Sequence, residues 1–129
     1  MNEQAGFDYL VVSRGQWDAD LPPATLQRAI DDFYAWHAEL AGAGKVRPGQ
    51  RLAPEVRRVS QAAITDGPFA EAKEVIGGYW FVTAASLDEA AKLMSASPCL
   101  ACGLWYEIRP IDPERCSAAA TTTETPIRR

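Results

Sequence analysis

The sequence predicts an α+β fold in which two helices cover one sheet, the split βαβ or ferredoxin-like arrangement, with an extra β-hairpin. Three observations carry that expectation. Apolar residues at the 3.6 period mark two helical segments, one on either side of a long extended region. Aromatic and β-branched runs around Leu10, Trp80 and Tyr106 mark strands, giving the order strand, helix, strands, helix, strand. Those strands also place large apolar groups on both faces, with Leu10 opposite Tyr9, Phe81 opposite Trp80 and Trp105 opposite Tyr106. Two helices cover only one face of a four-stranded sheet, so the second face needs cover as well. The simplest cover is the same face of a second copy, which gives a two-fold homodimer with a shared barrel-like interior.

Phe7 to Ser13 reads as the first strand, apolar on both faces apart from Asp8 and Ser13. Residues 14–20 are polar and include Gly15, so they form a loop. Pro22-Pro23 fits only the front of a helix, where the missing N–H would be unpaired anyway, and the first helix is expected from about Pro23 to Ala43. Along it Leu26, Ile30, Phe33, His37 and Leu40 follow one another at spacings of four, three, four and three, a continuous stripe for packing on the sheet. Gln27, Arg28, Asp31, Asp32 and Glu39 fall mostly on the solvated side, and Gly42 and Gly44 end the helix.

A second strand is expected near Lys45 to Leu52, with Pro48-Gly49 reading as a tight-turn dipeptide. The extended segment Val56 to Thr65 then folds back as a hairpin about Ser60-Gln61. Asp66-Gly67-Pro68 is a turn, because Asp bonds its own downstream backbone, Gly tolerates positive φ and Pro fixes φ. Beyond the charged segment with Glu71, Lys73 and Glu74, Gly77-Gly78 reads as a hinge that releases the chain into the buried central strand Tyr79 to Val82. Ser86-Leu-Asp-Glu89 is a capping-box pattern, and Leu87, Ala90, Ala91 and Met94 supply the apolar face of a helix ending near Ser97, where Pro98 stops it. Leu104 to Ile108 is the last strand. The Ala, Ser and Thr run from Asp112 reads as a flexible tail, giving one domain over residues 1–111 and a tail over 112–129.

With 129 residues and 47% hydrophobic content, the chain suffices for one domain with a substantial core. Its net charge of −4 argues against a nucleic-acid partner, and Arg57-Arg58 and Arg128-Arg129 are too short to reverse that balance. No apolar run approaches the roughly 18 residues of a membrane span, and Met1-Asn-Glu-Gln4 lacks a leader pattern, so a cytoplasmic protein without a membrane partner is expected. Three cysteines in such a chain are expected as thiols. Cys99-Leu-Ala-Cys102 has the spacing of half a zinc site, but the remaining ligands are missing, since the sole histidine, His37, lies on a distant segment. A helix beginning at Pro98 is what would make Cys99 reactive. Neither a phosphate-cradling glycine loop, nor a Ser-His-Asp order, nor a metal-ligand cluster is present, so no cofactor and no metal are expected.

Asp66-Gly-Pro-Phe69, followed by Glu71, Lys73-Glu74 and Gly77-Gly-Tyr79, resembles the signature of the YCII-related proteins of the DGPF type. Gly49-Gln-Arg-Leu52 and Glu107-Ile-Arg-Pro110 extend the resemblance over residues 7–111. It implies a dimeric α+β barrel. For function it implies a small-molecule-binding or regulatory protein, because DGPF-type proteins often accompany extracytoplasmic-function sigma factors. The alternative it implies is a cofactor-free enzyme working by proton transfer, isomerisation or elimination on a small carboxylated or aromatic metabolite. YCII proteins proper pair a helix His with the Asp of an Asp-Pro-Phe motif. Here those positions hold Phe33 and Ser97-Pro98-Cys99, so that dyad does not carry over.

Six residues are candidates for the site. His37 is the first catalytic candidate, being the sole imidazole and titrating near neutral pH; its competing role is a core histidine bonded to a neighbour. Asp66 is the second, as a carboxylate at a strand end, with turn formation as its competing role. Arg51 is a ligand-binding candidate, since a guanidinium fork clamps a carboxylate or phosphate; Arg109 shares that chemistry, and both have Glu71, Glu74 and Glu107 as alternative ion-pair partners. Glu71 belongs to the loop from Asp66 to Gly78, which is expected to wall the pocket. Tyr9 and Trp80 are ligand-wall candidates within an aromatic set whose first duty is core or interface.

Overall fold

In the computed structural model, which describes residues 6–67 and 74–127, the chain alternates strands and helices. The order is β1 (Phe7–Gly15), α1 (Pro23–Gly42), β2 (Val46–Arg51), β3 (Arg57–Val59), β4 (Ile64–Asp66), β5 (Ile76–Ala84), α2 (Leu87–Met94), a 3₁₀ turn at Pro98–Cys102 and β6 (Leu104–Pro110). One four-stranded sheet has the order β2-β5-β1-β6, with every neighbouring pair antiparallel. This is the ferredoxin-like order expected from the sequence. β3 and β4 form a separate hairpin, closed where the Ser60 N–H donates to the Ala63 carbonyl at 2.9 Å.

Strand alternation decides which side chains are covered. Tyr9, Val11 and Ser13 of β1 and Gly78, Trp80, Val82 and Ala84 of β5 are buried under the helices. Val11 and Val82 have no exposed surface, and Ala90 and Met94 of α2 close over the same cluster. α2 starts at the predicted Ser86 cap, whose hydroxyl accepts from the Glu89 N–H at 3.1 Å; the Glu89 carboxylate reaches back one residue beyond the cap and accepts from the Ala85 N–H at 2.5 Å. On the other face Leu10, Val12, Tyr79 and Phe81 are only partly buried and Trp105 is exposed.

Four local expectations change. α2 ends at Met94, short of Ser97, because Ser95 caps it with a hydroxyl bond to the Lys92 carbonyl at 2.6 Å. Pro98 then opens the 3₁₀ turn as well as stopping the helix. Pro48-Gly49 lies within β2 as a bulge, since the register with β5 slips between Arg47 and Gln50. β2 is an edge strand, where a proline without its N–H is tolerated. Gly77-Gly78 is part of β5, with neither residue at a positive φ. Gly78 is small because β2 runs against it: an added Cβ would sit 2.8 Å from the Gln50 carbonyl oxygen.

The α1 stripe forms as its spacing predicts, yet Leu26, Ile30, Phe33, His37 and Leu40 are all only half-buried. Ala29 is the single buried residue of this 20-residue helix. Residues 112–127 contain no helix or strand, and among the described residues no helix is long and apolar enough to cross a membrane.

Candidate functional site

The middle of the half-buried α1 stripe faces a cavity of about 640 Å³, within the range of small-molecule sites. Its roof is Ile30, Phe33 and His37 from α1, and its floor is Ser13 of β1 with Gly77 and Gly78 of β5. The β2 bulge carries Gln50 and Arg51 onto one wall, while Cys99 and Tyr106 stand on another.

Aromatic rings make up much of the lining. Phe33 meets Trp80 at 5.5 Å and 60°, His37 meets Trp80 at 5.3 Å and 88°, and Tyr106 meets Trp80 at 5.1 Å and 84°, all edge-to-face. The Trp80 N–H points away from this set, donating to the Met94 sulfur at 3.4 Å inside the core. Trp80 thus presents the cavity with an apolar surface.

Polar side chains of the lining without a hydrogen-bond or ion-pair partner among the described residues include His37, Arg51, Gln50 and Ser13. Burial pushes the His37 pKa below 6.5, so its imidazole is neutral at pH 7. Among the described residues Arg51 is unpaired like Arg28 and Arg115, whereas Arg14, Arg47, Arg57, Arg58 and Arg109 each pair with a carboxylate. Ser13 is a hydroxyl on a floor of glycines, only 9% exposed.

Two further groups are held protonated. The Tyr106 hydroxyl shares a 2.7 Å hydrogen bond with Ser97, and burial, opposed by that bond and reinforced by Cys99, pushes its pKa up to about 12. Burial, with Cys102 beside it, pushes the Cys99 thiol up to about 11. The turn beginning at Pro98 therefore does not make Cys99 a nucleophile at neutral pH.

Of the residues singled out in the sequence, His37, Arg51 and Trp80 come together around the cavity. Tyr9 lies elsewhere in the core, paired across to Val82. Asp66 lies on the exposed β4, outside the lining, in a 3.1 Å ion pair with Arg57. Glu71 falls outside the described residues. Of the loop expected to wall the pocket, Gly77 and Gly78 line the cavity. Arg109 pairs with Glu107 at 3.6 Å, away from the lining. Sequence reasoning missed Ser13 and Gln50; the available signal was a lone polar residue at the helix-facing parity of β1, two positions after Val11.

Fold and cavity define a class: a ferredoxin-like α+β protein whose helix layer and sheet enclose a space of small-molecule size. The sequence profile of the YCII-related domain matches residues 10–114, and the chain belongs to that family. An uncharacterised protein of Rhizobium meliloti (strain 1021) is 34% identical over 95 residues, spanning 66% of this chain and 74% of the relative. Among solved structures, the chain is similar to 5-chloro-2-hydroxyhydroquinone dehydrochlorinase from Burkholderia phenoliruptrix in complex with 2,5-dihydroxybenzoquinone. That match has a TM-score of 0.44 and 18% identity, and covers 81% of this chain and 93% of the other.

Proposed function

We propose that this YCII-related protein binds a small molecule in the cavity between α1 and the sheet, as a binding or regulatory protein. One observation carries the reading: Ile30, Phe33 and His37 of α1 stay half-buried beside an open space whose lining also holds the Ser13, Gln50 and Arg51 side chains, unpartnered among the described residues. An open space of this volume, lined by aromatic rings with a few polar side chains among them, has the make-up of a small-molecule site.

A second reading, a cofactor-free enzyme, draws support from His37. A neutral imidazole without a partner is a competent general base for isomerisation or elimination. Cys99 and Tyr106 hold their protons too tightly to exchange them at neutral pH, and among the described residues no carboxylate lines the cavity to orient the imidazole. Among the described residues His37 alone would both take and return the proton, and on that ground we put binding ahead of catalysis.

The reading includes a homodimer through the uncovered sheet face. Its partly buried Leu10, Val12, Tyr79 and Phe81 lie among the ion pairs Arg14–Glu107 and Arg47–Asp8, so both signs of charge are available to a two-fold copy.

NMR tests the pocket. A fragment set of both charges is titrated while the His37 ring and Trp80 indole resonances are followed. Saturable shifts at both residues are expected from at least one fragment. A folded protein whose His37 and Trp80 respond to none would refute the binding site. The two readings are separated by the fate of a bound fragment: a binder returns it unchanged, whereas an enzyme converts it to product and His37→Gln abolishes that conversion.

A further inference from the structure

Resting on that pocket reading, we propose that the ligand is a planar aromatic carboxylate, its acid group held by Arg51 and its ring set among Phe33, His37 and Trp80. Charge is the first argument. Among the described residues Arg51 is the one formally charged residue of the lining, and no Asp or Glu stands there. The chain as a whole is acidic, at −4, so a positive cavity wall does not follow from bulk charge. Five other arginines are neutralised by carboxylates of the chain, whereas Arg51, like the exposed Arg28 and Arg115, makes no ion pair among the described residues, and of these three only Arg51 lines this cavity. A guanidinium beside an apolar space favours a carboxylate, which takes two parallel N–H bonds, over a neutral amide.

Ring geometry is the second argument. Phe33, His37 and Tyr106 all stand edge-to-face on Trp80, at 5.1 to 5.5 Å. A planar ring entering the cavity extends this packing at the same spacing, using ring quadrupoles that an alkyl chain cannot use. The floor supports the same choice. Gly77 and Gly78 leave room for a flat molecule, and the Ser13 hydroxyl and neutral His37 can bond a polar ring substituent.

Calorimetry on the full chain with 1-naphthoate, 1-naphthamide and decanoate tests the class. Naphthoate is expected to bind about tenfold or more tighter than either competitor, the size of a charge-assisted pair and of ring packing. Arg51→Gln is expected to bring naphthoate within about twofold of naphthamide while leaving naphthamide unchanged. Arg115→Gln, on the exposed C-terminal segment, is expected to change nothing. Equal affinity for naphthoate and naphthamide, or an Arg51→Gln variant that keeps the preference, overturns the carboxylate assignment while the pocket reading stands. Tightest binding of decanoate overturns the aromatic assignment in the same way. If none of the three binds and His37 and Trp80 respond to no fragment, both proposals fall together.

Discussion

Gly77→Ala and Gly78→Ala alter neighbouring residues of β5 and are expected to change stability in opposite directions. At Gly78 the new Cβ would lie 2.8 Å from the Gln50 carbonyl oxygen and 3.3 Å from the Arg51 Cα. Both are backbone atoms of β2, held there by the Gln50–Tyr79 and Arg51–Gly78 pairings and by the 2.9 Å bond from the Leu52 N–H to the Gly77 carbonyl. No rotamer relieves the contact, so β2 itself must move, at a cost of about 1–3 kcal/mol. At Gly77 the nearest atom to the new Cβ is the Ser13 Oγ at 3.9 Å, an ordinary contact, and φ is not in the left-handed region. There the methyl fits, and restricting the unfolded chain stabilises by about 0.4–1 kcal/mol. The two variants should therefore differ by about 1.5–4 kcal/mol. With a urea slope of about 1–3 kcal/mol/M, their midpoints separate by roughly 1 M. Urea titration followed by tryptophan fluorescence reads this directly. Two variants destabilised alike would refute the close-approach account.

Two further expectations follow from the uncovered face and the buried acids. Light scattering at micromolar protein should give about twice 14.1 kDa, and Leu10→Asp, in the middle of the open face, should halve it; a monomeric parent protein refutes the dimer. On the alkaline side, Cys99 moves from 9.0 to about 11 and Tyr106 from 10.0 to about 12 on folding. The folded state then keeps protons that the unfolded chain releases, so stability is flat below about pH 9 and falls as pH rises towards 12. Melting temperatures from pH 8 to 11.5 should drop, less steeply in Tyr106→Phe, and an unchanged melting temperature contradicts the burial of both groups.

Periodicity made the faces of the fold legible but not what lies against them. The stripe of Leu26, Ile30, Phe33, His37 and Leu40 says which side of α1 is apolar; only the packed structure says that this side meets a cavity. Likewise, Pro48-Gly49 has the same local chemistry as a turn or as a bulge, and pairing with β5 decides between them. At the site, His37, Arg51 and Trp80 were legible because their chemistry is conspicuous. Tyr9 shares the face of Ser13 but lies four residues away, at a spacing of about 3.3 Å per residue, which carries it past Trp80 and into the core. Asp66 has its Arg57 partner directly across the hairpin, a pairing that depends on the β3–β4 register. For Ser13 the alternation of β1 signalled the helix-facing side, but not that a cavity lies over it there.

The position of the cavity follows from a gradient of side-chain size along the two central strands. On the helix-facing side, successive cross-strand pairs are Tyr9 with Val82, Val11 with Trp80, and Ser13 with Gly78. Phe33 and Trp36 pack against the core at its bulky part, with Phe33 in ring contact with Trp80, so the largest residue sets the height of α1 above the sheet. At the next pair the floor drops to a hydroxymethyl group and a hydrogen atom while the helix keeps its height, and the space between stays open. Gly78 has a second effect at the same level. Its missing side chain lets β2 approach closely enough to bring Gln50 and Arg51 to the cavity wall. A larger residue at that one position would raise the floor and push the guanidinium away together. The glycine pair before Tyr79 thus supplies both the volume of the site and the placement of its only charged group among the described residues.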